Sequence, residues 1–123
     1  MVDDEGQTSE QVPTGDPDRR EAAQRAGETL RLFARRDVTA EQWLADLAPY
    51  LTVEALETHR GTRPYKVPAM MVGDARVIPT DSAYVARVQV STSIGAYLLT
   101  LVRTSADPVW RVASITPPEQ APA

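Results

Sequence analysis

The chain has 123 residues, 42% hydrophobic and 24% charged, which is the composition of one ordinary globular domain. Cysteine is absent, so disulfide frameworks, thiol nucleophiles and thiolate metal sites are excluded. No apolar run is long enough to cross a membrane, and no basic-then-apolar leader opens the sequence, so the expectation is a soluble chain. The formal net charge of -4 is unevenly placed: residues 1–15 carry Asp3, Asp4, Glu5 and Glu10 with no base, leaving the rest close to neutral. A nucleic-acid binder needs a strongly basic domain, and this chain lacks one.

Residues 1–15 hold only Val2 and Val12 as larger aliphatics and cannot bury enough surface to offset ordering, so they are expected to form a disordered acidic arm. Residues 16–117 form the expected domain, and 118–123 a proline-rich tail. Asp16 followed by Pro17 reads as a helix N-cap with proline in the first turn. From there Ala22, Ala23, Ala26, Leu30 and Phe33 recur at spacings of three and four, which predicts an amphipathic helix. Thr39 with Gln42 makes a capping box, and Val38 with Trp43 a hydrophobic staple, so a second helix starts near Ala40 and stops before Pro49. Thr52 caps a third, from Val53 to His59, with Leu51 and Leu56 as its staple.

Beyond Pro64 and Pro68 the apolar period shortens to two. Strands are expected over Met71–Ile78, from Tyr84 through Val90, over Ala96–Arg103 and over Val109–Ile115, with turns at Pro79–Ser82, Ser93–Gly95 and Asp107–Pro108. Tyr84, Ala86, Val88 and Val90 would share the better-buried face. Helices first and strands afterwards specify an α+β domain, with three helical segments packed on a four-stranded antiparallel sheet. Ala96–Arg103 is apolar on both faces. If Tyr97, Leu99 and Leu101 face the helices, Leu98 and Val102 are left on a second face that is normally polar.

This element order resembles small members of the nuclear-transport-factor-2-like, cystatin-like superfamily, whose sheet is curved and encloses a cone with the helices. The runs Thr39-Ala40-Glu41-Gln42-Trp43-Leu44, Leu47-Ala48-Pro49-Tyr50-Leu51-Thr52, Leu98-Leu99-Thr100-Leu101-Val102-Arg103 and Val109-Trp110-Arg111-Val112 are similar to bacterial proteins of that fold. Some of those look like assembly scaffolds of conjugative or type IV transfer machines, and many sit behind a single membrane anchor. The resemblance implies one of two arrangements. In one, an anchor belongs to a longer natural chain, with the acidic arm as its linker and the domain on the extracytoplasmic face. In the other, the chain is a free soluble member of the cytoplasm.

The same resemblance offers two functions. One is a non-catalytic assembly module that self-associates or docks protein partners through its sheet face, with Leu98 and Val102 there and Arg31, Arg35 and Arg36 as a basic cluster at the end of the first helix. The alternative is a small-molecule binder or enzyme of the polyketide cyclase, ketosteroid isomerase or epoxide hydrolase type. Asp74, Arg76, Tyr84 and Tyr97 would then line the cone, and Asp74, Arg76 and Asp81 resemble the Asp-Arg-Asp set of the epoxide-hydrolysing members. Asp74 and Arg76 are two apart in a strand and so share a face. His59 is the one histidine, which leaves a metal site without a second imidazole; at a helix end it gains from the dipole when charged. No phosphate-binding glycine loop and no nucleophile-base motif is present, so no cofactor or metal is expected. Arg60, Arg63 and Lys66 form a second basic stretch that reads as solvated surface.

Overall fold

A computed structural model describes residues 16–80 and 82–118; the expectations for the arm, for Asp81 and for the last five residues lie outside it. Helix α1 runs over Asp16–Phe33, α2 over Ala40–Leu47 and α3 over Val53–His59, ahead of strands β1 (Val72–Ile78), β2 (Val85–Thr92), β3 (Gly95–Val102) and β4 (Arg111–Thr116). The strands pair in the order β1-β2-β3-β4, all antiparallel, so the domain is α+β with its helices before its sheet. Among the described residues no helix is long and apolar enough to cross a membrane.

Local chemistry accounts for the short helices. Thr39 Oγ1 accepts from the Gln42 amide at 3.1 Å and Thr52 Oγ1 from the Ala55 amide at 3.1 Å, each satisfying a backbone donor that a helix start would orphan. The return half of the Thr39 capping box does not form, because the Gln42 side chain donates to Asp46 one turn on. Pro49 ends α2 in a 3-10 turn over Ala48–Tyr50, and Gly61 takes φ 104° just after α3.

α1 lies across the sheet with Ala22, Ala26 and Leu30 fully buried against it. The sheet answers with Ala86, Val88 and Val90 from β2, Tyr97, Leu99 and Leu101 from β3, and Val112 from β4, all nearly or wholly buried. Trp43 closes one end of this layer, its indole N–H donating to the Phe33 carbonyl at 3.1 Å. Trp110 closes the other, donating to the Asp18 carbonyl at 3.1 Å. Arg25 stitches these parts together: Nε donates to the Trp110 carbonyl at 2.7 Å, a terminal nitrogen donates to the Pro49 carbonyl at 3.0 Å, and the guanidinium stacks 4.5 Å from the Tyr50 ring centre. On the far side Thr52 donates to the Val112 carbonyl, and Leu51 bridges to Val112 in parallel, so this segment covers the start of the β4 edge.

Three strand expectations need correction. Tyr84 does not join the buried face: β2 begins at Val85, and Tyr84 is 52% exposed in the preceding bend, where its amide donates to Ser82 Oγ. β4 begins at Arg111 rather than Val109, because the Trp110 indole turns under the start of α1 instead of alternating in the ladder. The period of two in β1 is broken by a bulge between Val72 and Ala75, where Gly73 and Asp74 together oppose Ser91. Gly73 suits this position, since a Cβ there would stand 3.3 Å from the Ser91 carbonyl oxygen. At the end of the described residues, Pro118 packs on the β2-β3 turn at Gly95.

Two variants test this packing. Gly95 has φ 121°, and an added Cβ would meet Pro118 Cβ at 2.8 Å, so Gly95→Ala should lower stability by more than about 1 kcal/mol, read as a lower urea midpoint at unchanged slope. Arg25→Met keeps the stem but strands the Trp110 carbonyl, while Pro49 keeps its bond from Arg111, and should cost about 1–2 kcal/mol in the same assay. Arg25→Lys, with one compact ammonium for two divergent acceptors, should recover little of that.

Candidate functional site on the outer face of the sheet

Because β3 buries Tyr97, Leu99 and Leu101 toward the helices, its alternate residues Leu98, Thr100 and Val102 point away and are half-exposed. The register extends them into three rungs across the sheet. The first runs Arg76, Gln89, Leu98, Thr116; the second Ile78, Arg87, Thr100, Ser114; the third Val85, Val102, Arg111. Apolar and basic side chains therefore mingle on one face, and no rung holds a carboxylate. Arg76 donates to Gln89 at 3.0 Å, and Arg111 is held by Asp107 from the β3-β4 connection at 2.9 Å. Val102 and Arg111 also border a groove of about 480 Å³ whose other wall is Leu51, Val53 and Leu56, with Val53 74% exposed. The face and the groove form one continuous surface.

The residues expected to line a cone do not converge. Tyr97 is on the inner layer, where burial pushes its phenol pKa up. Tyr84 lies in the exposed bend, Arg76 on the outer face, and Asp74 in the exposed bulge beside α1, on a shallow depression with Gln24, Glu28 and Arg31. Asp81 lies outside the described residues. At the start of α1, a cavity of about 50 Å³ between Asp18, Arg103 and Trp110 has room for a little water and not for a metabolite.

The basic cluster of α1 is divided among different tasks. Arg35 makes a 3.0 Å ion pair with Asp46 of α2 and donates to the Leu32 carbonyl, while Arg36 donates to the Tyr65 carbonyl at 2.7 Å. Arg31 stays exposed next to β1. The inner arginines escaped sequence reading altogether: Arg103 stacks 4.3 Å from the Trp110 ring centre and pairs with Asp18 at 3.2 Å, across 85 residues of chain. No local pattern announces a contact of that span.

His59 belongs to an aromatic cluster, edge-on to Phe33 at 5.5 Å and to Trp43 at 6.2 Å. Burial holds its pKa below the ordinary imidazole value, so desolvation outweighs the helix-end dipole that favours the charged form. Among the described residues, no three His, Asp or Glu side chains gather as metal ligands. No family model matches the chain, and neither does any curated protein or solved structure.

The His59 environment sets a pH dependence. With the folded pKa depressed, the unfolded chain takes up its proton first as pH falls. Stability should therefore be full above the ordinary imidazole pKa, decline as pH drops through it, and level off below the depressed value. His59→Phe should flatten this part of the stability profile as pH falls from neutral through the ordinary imidazole pKa, measured by urea unfolding against the parent chain.

Proposed function

We propose that this chain is a non-catalytic protein-interaction module that docks an acidic, partly apolar partner on the outer face of its sheet. The observation that carries the reading is the set of rungs in which Ile78, Val85, Leu98 and Val102 stand among Arg76 and Arg87 with no carboxylate between them. An antiparallel sheet covered on one side ordinarily presents a polar second face, and a mixed apolar and single-sign face fits a partner that supplies both apolar contact and negative charge. A second copy laid on the same face would set one basic face against another, so charge disfavours self-association there.

The dense inner layer supports the non-catalytic part: Leu30, Trp43, Val88 and Leu99 are fully buried between helices and sheet. We place the domain among the cystatin-like cones, with that layer as the plug of the cone. The apparatus we infer is a cell-envelope transfer machine of the conjugative or type IV kind, with this chain as an accessory subunit; the similarity of its Thr39–Leu44 and Leu98–Arg103 runs to such scaffolds supports it.

Placing a photo-crosslinking amino acid at Leu98, and separately at Thr100, in cells that make the protein tests the docking face. Both positions should capture the same partner through an acidic segment, and Arg87→Glu should abolish capture while leaving unfolding unchanged. Capture that survives Arg87→Glu, or two unrelated sets of products, would refute a docking face there.

A further inference from the structure

The outer face of the sheet carries charge that the fold does not use. Arg87 is exposed in the middle of the second rung, and among the described residues no carboxylate pairs with it. Arg76, one rung away, meets only the neutral side chain of Gln89. Much of the basic surface elsewhere is already engaged: Arg35 with Asp46, Arg36 with the Tyr65 carbonyl, Arg60 with Glu57 and Arg63 with the Tyr65 hydroxyl. Arg31 shares its depression with Glu28 and Asp74.

The same chain carries a segment of the opposite character. Residues 1–15 hold Asp3, Asp4, Glu5 and Glu10, no base, and the valines Val2 and Val12, which is the acidic, partly apolar composition that the face fits. Where this segment joins the fold is fixed by the first turn of α1. Trp110 donates to the Asp18 carbonyl there, and Arg103 pairs with the Asp18 carboxylate while donating to the Ala83 carbonyl. Residues 83 and 110 directly precede the third rung, so the segment enters beside Val85, Val102 and Arg111. Val12 lies four residues before Asp16 and Glu10 six, about 13 Å and about 20 Å of extended chain. Rounding the end of the sheet takes about 10 Å, a layer spacing, and each rung about 7 Å more. Val12 thus reaches Val85 and Val102, Glu10 reaches Arg87, and Asp3, Asp4 and Glu5 have chain to spare for Arg76.

We propose that residues 1–15 lie across the outer face of this chain's own sheet, with Glu10 at Arg87 and Val12 at Val85 and Val102, as an internal competitor for the acidic segment that docks there. Each exposed ion pair contributes little, and the tether compensates by holding the acids near the face at an effective concentration of about millimolar. The cover is therefore weak and displaceable: a partner binds by exchanging with it, and salt loosens it. That consequence rests on the docking reading, whereas the contact itself needs no partner.

Because the chain has no cysteine, Ser9→Cys gives a single attachment point for a nitroxide in the full chain. The amide signals of Arg87, Gln89, Leu98 and Thr100 should fall to about half or less of their intensity with the label reduced, while those of Gln24, Glu28 and Arg31 on the helical side keep theirs. Exchanging all four acids (Asp3→Asn, Asp4→Asn, Glu5→Gln, Glu10→Gln) should restore the outer-face signals, as should Arg87→Glu and about 0.5 M salt. Mixing isotope-labelled chain without nitroxide and unlabelled chain with it should give no loss, since the contact is within one molecule. Circular dichroism and urea unfolding check that each variant keeps the parent fold. Equal losses on both sides of the domain, losses that persist after the acids or Arg87 are exchanged, or losses in the mixed sample would each overturn the proposal. None of these outcomes touches docking of a separate partner, and a failure to capture any partner at Leu98 leaves the arm contact standing.

Discussion

The rest of the fold depends on how α1 is fastened across a sheet that comes from the other end of the chain. Hydrophobic burial brings Ala22, Ala26 and Leu30 onto the strands, but small alanines slide easily over an aliphatic surface. Arg25 fixes the position by donating to two carbonyls, those of Trp110 and Pro49, that no ladder or helix satisfies in these connections. Trp110 returns a bond to the α1 backbone at Asp18, and Arg103 fills the angle between the indole face and the Asp18 carboxylate. The planar guanidinium is what makes this possible, since it can donate in two directions while its face lies on a ring. With the helices held on one side, the described residues leave the other side of the sheet uncovered.

Legibility in the sequence followed the range of the interaction. The starts of α2 and α3 are legible because Thr39 and Thr52 act on amides three positions away. The alternation in Ala96–Arg103 gave the two faces of β3 correctly, because period two is a property of the strand itself. The starts of β2 and β4 fall later than the pattern predicts: at β4 the contact of Trp110 with α1 overrides it, and at β2 a local bend closed by Ser82 does. The bulge had a signal that could have been used: a lone glycine inside a strand marks a close approach or an extra residue, and Gly73 is both. The bulge bears on the candidate site, because it interrupts the alternation that would set Asp74 beside Arg76.

His59 shows the same competition on a smaller scale. Its position at the end of α3 suggested a charged imidazole facing a helix dipole, and the structure instead lays the ring against Phe33 and Trp43. Sequence spacing reports which helix end a residue occupies; it does not report that Phe33, from another helix, lies across that end. The cluster joins α1, α2 and α3 into one unit, so the histidine works as packing that is sensitive to protons.

The two edges of the sheet are unequal, and the inequality limits growth. Leu51 and Thr52 lie along the start of β4, whereas among the described residues no strand pairs with the outer side of β1. Where Leu51 and Thr52 sit, the backbone of Val112 is already engaged, and an incoming strand would have to displace them before it could extend the sheet there. The short parallel bridge at Val112 thus acts as a stopper at the start of that edge.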